Sequence, residues 1–175
     1  NKPNFYKLLT IIMDIALKNT KIYGQKCLIY IGTNEAIQTV YQWIIENFQD
    51  IAYDVGIYTS IIPKKEKAEA LNKRIILSTT KSTGAASDIP GLRLTIVLAE
   101  PFKSEIIARQ TFGRTRENNT KYIEVVDRGF NQCVKYYYDK QSVYKSIAKN
   151  CYTIRMSQTE LNDKCDKINQ FKNNK

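Results

Sequence analysis

Histidine is missing altogether from these 175 residues. Its absence removes the commonest general base and excludes a Cys-His nucleophilic pair. The four cysteines, Cys27, Cys133, Cys151 and Cys165, lie far apart, so no close pair offers the spacing of a zinc site. Reduced thiols in an intracellular protein are the plain reading, with a disulfide as the alternative. Long hydrophobic runs are lacking too: Leu8 to Leu17 and Ile75 to Leu77 are too short or too interrupted to span a membrane. No basic, apolar, small-residue succession of a secretion signal opens the chain. It begins at Asn1 without a methionine, as a piece of a longer polypeptide or a trimmed chain would. Nothing matches G-x-x-x-x-G-K-[ST], so this chain does not supply a loop that cradles phosphates head-on.

What is present suits one globular domain with a real core: 43% of the residues are hydrophobic and 25% charged. Basic residues number 27 against 17 acidic, a net charge of +10. A surplus of that sign favours a nucleic-acid partner, whose phosphates release counterions on contact. The Lys-, Asn- and Ile-rich usage of an AT-rich genome accounts for the same surplus.

Periodicity alternates helices with short buried strands. Over Phe5 to Asn19, Leu8, Leu9, Ile11, Ile12, Ile15 and Ala16 share one broad helical face. Lys26 to Ile31 is an apolar run ended by Gly32, as expected of a strand covered on both sides. Thr33 or Asn34 can cap the next helix, which runs to about Phe48. Strands are predicted over Tyr53 to Tyr58, Arg74 to Ser78, Leu92 to Leu98 and Tyr122 to Val126. Helices fall between them, one from Pro63 through Leu71 and one from Lys103 to Gln110. This alternation predicts an α/β fold with a mostly parallel sheet covered on both faces, whose ligands meet the carboxyl ends of the strands.

Beyond Asp127 the character changes. Asn131 to Lys149 reads as a polar, tyrosine-rich helix and Tyr152 to Met156 as a short strand-like piece. Ser157 to Glu160 has the spacing of a capping box that opens a last helix, with a frayed end over Asn169 to Lys175. The expected organisation is a lobe over residues 1–127 and a mostly helical appendage over 128–175 packed on it. Tyr136, Tyr137 and Tyr138 cannot all face one way on a helix, so packing and base stacking both remain open for them. Leu161, Cys165, Ile168 and Phe171, at helical spacing, make a docking stripe.

Four segments fall at strand ends in a recognisable order. Leu28 to Thr33 resembles motif IV of superfamily-two helicases. Ile76 to Pro90 resembles motif V, with Thr80 followed eight residues later by Asp88 and then Ile89-Pro90. Gln110-Thr111-Phe112-Gly113-Arg114-Thr115-Arg116 is similar to motif VI, and Val55 to Ser60 fits the strand that commonly precedes motif V. The resemblance covers about residues 24 to 127, and it implies the second RecA-like lobe of a helicase or translocase, a three-layer α/β fold. Two such lobes close on ATP at a shared cleft while gripping a nucleic-acid strand. The Gln-type motif VI is nearest to the branch of repair and viral or phage DNA helicases, which favours DNA over RNA.

The resemblance implies a role for each residue. Arg114 and Arg116 become arginine fingers that bring positive charge to the γ-phosphate of ATP when the lobes close. Gln110, Gly113, Gly84 and Asp88 fall to the nucleotide, Asp88 through the ribose or by positioning motif VI. Thr33, Thr80, Lys81 and Ser82 fall to the phosphate backbone of the strand. Mg2+ and the attacking water belong to the missing first lobe, so this chain alone is expected to be inactive.

Each residue also has a plainer role. The arginines suit surface salt bridges, Gln110 a solvated helix end, Gly113 a helix C-cap, Asp88 and Thr33 caps, and Thr80 to Ser82 a solvated turn. Two positions depart from the family pattern: Glu117 stands where its last arginine would fall, with Arg116 one residue early, and Ala86 replaces a common glycine. A non-catalytic helicase-like scaffold, binding nucleic acid or protein, is the alternative function.

Overall fold

The computed structural model describes residues 2–83, 89–99 and 120–173. Burial begins with β1 (Lys26–Ile31), in which Cys27 to Ile31 are all 1% exposed or less. A run apolar on both faces is stable only inside a sheet, and β1 lies at its centre. The strand order is β2-β3-β1-β4-β5, from β2 (Val55–Tyr58), β3 (Ile75–Ser78), β4 (Leu92–Ala99) and β5 (Lys121–Glu124). Every neighbouring pair is parallel, so all five described strands end at one edge. The register sets Tyr30 beside Ser78 and Ser78 beside Tyr58.

Alternation along β1 divides the core. Cys27, Ile29 and Ile31 pack beneath α1 (Lys2–Asn19) and α2 (Asn34–Asn47), against Leu9, Ile12, Met13, Ile37, Val40 and Ile44. Leu28 and Tyr30 face the other way, with Ile76, Val97 and the Val143 and Tyr144 of α5 (Asn131–Ile147). Each fully buried Leu or Ile contributes about 1.5–3 kcal/mol, and the two layers of helix together hold the sheet between them.

The edge opposite the strand ends is tied by Arg74. Its backbone N–H donates to Asp54 at 2.9 Å, its Nε to Thr20 at 2.8 Å and its guanidinium to the Leu17 carbonyl at 3.0 Å. One side chain thus joins the last turn of α1 to the start of β3. Gly91 turns the chain into β4 with φ +82, where a Cβ would lie 2.0 Å from the Gly24 carbonyl oxygen. At Gly56 a Cβ would meet Ala70 Cα at 2.8 Å, so glycine lets α3 (Lys64–Ala70) sit directly on β2.

Several boundaries differ from expectation. Gln49 to Asp54 forms a 3-10 helix, and β2 begins only at Val55, because Phe48 and Ile51 are buried by turning inward. Pro63 stands at the N-cap of α3, one place before its first helical residue. Thr80–Thr83 is a helical turn, α4, where a loop was expected. Tyr152 to Met156 forms no strand: Tyr152 and Ile154 are exposed and pair with none of the described strands.

The last helix, α6 (Gln158–Asn173), remains helical through the stretch expected to fray, up to Asn173. Its capping box is formed: Ser157 Oγ accepts from the Glu160 N–H at 3.2 Å and Glu160 accepts from the Ser157 N–H at 2.7 Å. α6 lies along α1, where Asn4 donates to Gln158 at 2.6 Å and Lys7 to Asn162 at 2.8 Å. Cys165 is buried in the docking stripe, with Leu161 and Ile168 partly covered, whereas Phe171 is exposed. At the far end Lys172 donates to the Asn47 carbonyl and lies 3.1 Å over the Phe48 ring.

Candidate nucleic-acid interface

The three strands at the centre and one side of the sheet each end in hydroxyl-bearing residues: Thr33 after β1, Thr59 and Ser60 after β2, and Thr79, Thr80 and Ser82 after β3. Parallel pairing brings these ends together. Thr33 caps α2, its Oγ1 accepting from the Ala36 N–H at 3.1 Å, and it is exposed. A capping hydroxyl still has a proton to donate, so Thr33 can contact a phosphate oxygen while it caps. Glu35 in the same first turn already complements the helix dipole and weakens the site for an anion. Thr33 therefore suits a single hydrogen bond rather than a phosphate pocket.

Behind β3 the hydroxyls brace one another. Ser82 Oγ accepts from the Ser60 N–H at 3.2 Å and shares a 2.8 Å hydrogen bond with Thr79 Oγ1. The Ser82 N–H donates to both the carbonyl and the hydroxyl of Thr79 at 3.1 Å. Ser78 Oγ donates to the Tyr58 carbonyl at 2.6 Å. Ser82 thus holds the loops after β2 and β3 at a fixed separation, and Thr80 is buried beneath them. Lys81 is exposed on the same turn and makes no ion pair among the described residues. The arrangement offers an exposed cation on a rigid platform, with exposed Thr33 on the adjacent strand end.

The other six predicted residues, Gly84, Asp88, Gln110, Gly113, Arg114 and Arg116, lie outside the described residues, as does the helix expected over 103–110. No group of three or more Cys, Asp or Glu side chains able to hold a metal ion occurs among the described residues. None of their helices is long and apolar enough to cross a membrane.

Sequence reading missed two features of this region. Thr59, only 1% exposed, carries an Oγ1 with no hydrogen-bond partner among the described residues, and the buried Oδ1 of Asn34 also lacks one there. A threonine directly after β2 and β3, and one residue beyond β1, was the available signal. The second feature is a polar cluster under α5. Buried Lys140 donates to Glu124 at the end of β5, Tyr144 donates to the same carboxylate at 2.6 Å, and Tyr122 lies 3.3 Å from Tyr144 oxygen to oxygen. Burial, then the neighbouring Tyr122 and Glu124, push the Tyr144 hydroxyl well above the usual tyrosine range.

No protein-family model matches the sequence, and no curated protein sequence does. Solved structures share the fold. The Hef helicase domain of Pyrococcus furiosus superposes with a TM-score of 0.55 at 19% identity, over 78% of this chain and 28% of that one. Domain 2 of the DEAD-box helicase Mss116p, solved with an RNA duplex, gives 0.63 at 12% identity, over 94% and 64%. The C-terminal domain of the DEAD-box protein Dbp5 gives 0.61 at 12% identity, over 97% and 92%. The chain spans less than two thirds of the first two. Its fold is the RecA-like α/β fold of helicase C-terminal domains, with helices following the last described strand.

Proposed function

We propose that this chain is the C-terminal lobe of an ATP-dependent, intracellular nucleic-acid helicase or translocase of superfamily two. One observation supports the reading most: the carboxyl ends of β1, β2 and β3 converge as a braced, hydroxyl-rich ridge beside the exposed Lys81. In parallel sheets that edge is where ligands meet the loops. Contacts from hydroxyls, amides and one flexible ammonium hold a phosphate backbone without reading bases. Arg114 and Arg116 are the proposed fingers on the ATP that a first lobe binds with Mg2+, and Gln110, Gly113, Gly84 and Asp88 the nucleotide-side contacts. ATP is the substrate whose cleavage such lobes couple to movement on the strand.

The test begins with the chain alone. Its affinity for a labelled oligonucleotide should fall steeply with salt, and Lys81→Ala should weaken binding and flatten the slope of log K against log salt by about 0.7. Salt-independent affinity would contradict the backbone reading. DNA is proposed as the preferred strand on the Gln-type motif VI, so matched DNA and RNA oligonucleotides form two arms; tighter RNA binding reverses that preference. ATP hydrolysis by the isolated chain should be negligible. When a first lobe is supplied, Arg114→Ala should abolish turnover and leave nucleotide binding intact, and vigorous hydrolysis without that lobe would sink the divided site.

A further inference from the structure

α5 and the extended segment 148–157 enclose an open groove of about 460 Å3 lined by Tyr137, Tyr138, Gln141, Thr153 and Arg155. Its volume lies within the range of small-ligand sites, about 300–1,000 Å3. Its walls are an aromatic pair and a cation. The Tyr137 and Tyr138 rings sit 5.4 Å apart at 58°, and Tyr137 is pinned through its hydroxyl, 2.6 Å from Thr153 Oγ1. Tyr138 is left 58% exposed. Arg155 is exposed and pairs with no carboxylate among the described residues. Lys145, one helical turn beyond Gln141, is exposed on the same side of α5.

Charge decides among occupants. Between Arg128 and Ser157 the chain carries six basic residues, Arg128, Lys135, Lys140, Lys145, Lys149 and Arg155, against the single acid Asp139. Lys140 is neutralised by Glu124, which leaves a surplus of four exposed charges along the segment that carries the aromatic wall. An apolar protein partner needs no such field. A polyanion with flat, stackable faces uses both features at once, since bases stack on tyrosine while arginine meets phosphate.

We infer that this groove binds a single polynucleotide strand, with Tyr138 as the stacking platform and Arg155 on the phosphate. The inference takes its partner class from the function proposed above and adds a second contact, on the appendage, to the one at the strand ends. Stacking does not depend on the sugar, so single-stranded DNA and RNA should both occupy it.

The experiment measures fluorescence anisotropy of the whole chain with labelled oligothymidylate and oligouridylate of about 12 nucleotides, within the usual span of such sites. Tyr138→Ala should raise Kd about 5- to 150-fold, Tyr138→Trp should retain affinity, and Arg155→Ala should flatten the salt slope by about 0.7. Both residues are exposed, so melting temperatures should stay at that of the parent chain. The inference fails if Tyr138→Ala and Arg155→Ala together leave Kd and slope unchanged. If Lys81→Ala alone then weakens binding, the proposed function stands without this groove; if the groove variants alone do so, the groove stands and the strand-end contact falls. Loss of both contacts overturns both. A protein that binds only when Tyr138 is intact, with no measurable oligonucleotide affinity, would make the groove a protein-docking face and refute the inference.

Discussion

Replacing Lys140 by methionine tests the most costly contact outside the apolar core. The Lys140 side chain is 0% exposed and that of Glu124 10%, so removal of the ammonium strands a carboxylate where water scarcely reaches it. Breaking one side of such a pair costs about 3–5 kcal/mol. Tyr144 still donates to Glu124 at 2.6 Å, which places the expected loss at the lower end, about 3 kcal/mol. For a chain of this size each kcal/mol moves the melting temperature by about 2–4 °C, so thermal denaturation followed by circular dichroism should show a drop of about 6–12 °C. Glu124→Gln in the same chain removes the stranded charge but keeps an acceptor for Tyr144. The double variant should therefore recover about half of the loss or more, a coupling of about 1.5 kcal/mol or above. A drop below about 2 °C for Lys140→Met, or strict additivity of the two changes, would refute the reasoning.

Gly91→Ala must accommodate both a left-handed φ of +82 and a Cβ 2.0 Å from the Gly24 carbonyl; denaturant titration should show a loss of about 2 kcal/mol or more. Ser157→Ala removes the N-cap of α6 and should cost about 0.5–2 kcal/mol. Hydrogen bonds from the Ser157 backbone and hydroxyl hold the Glu160 carboxyl below its usual range. The folded state therefore gains from ionised Glu160 above the unfolded carboxylate range and loses that gain as pH falls through the lowered folded value, so amide protection at the start of α6, taken relative to the intrinsic exchange rate at each pH, should fall only on acidification. Burial pushes the Cys27 thiol far up, while Cys151 is exposed; a thiol reagent should label Cys151 at once and Cys27 only after unfolding. Early labelling of Cys27 would mean that β1 opens locally.

Legibility followed the range of each interaction. β1 is plain in the sequence because burial on both faces needs an unbroken apolar run from Cys27 to Ile31. The Thr33 cap and the Ser157-Glu160 box are local hydrogen bonds three residues apart, so spacing announces them. Tyr152 to Met156 has strand-like residues, but a strand requires a neighbouring strand, and none of the described strands pairs with it. Lys140 and Glu124 come from different elements, and nothing in either segment marks the other as its partner. Of the strand-end site, Thr33 and Lys81 are placed as exposed groups, whereas the bracing role of Ser82 depends on Ser60, 22 residues away. The arginines of motif VI lie outside the described residues, and their role rests on resemblance.

The contact between α1 and α6 has a bearing on synthesis. Asn4 and Gln158 are separated by 154 positions, and at 5–20 residues per second a ribosome needs roughly 8–30 s to deliver the second after the first. Through that interval the outer side of the first helix is without its cover, although the sheet beneath it can already form. Contacts of such long span come late and slow the final approach to the native state. The α1–α6 contact is therefore completed only after the strands that α1 covers have been made.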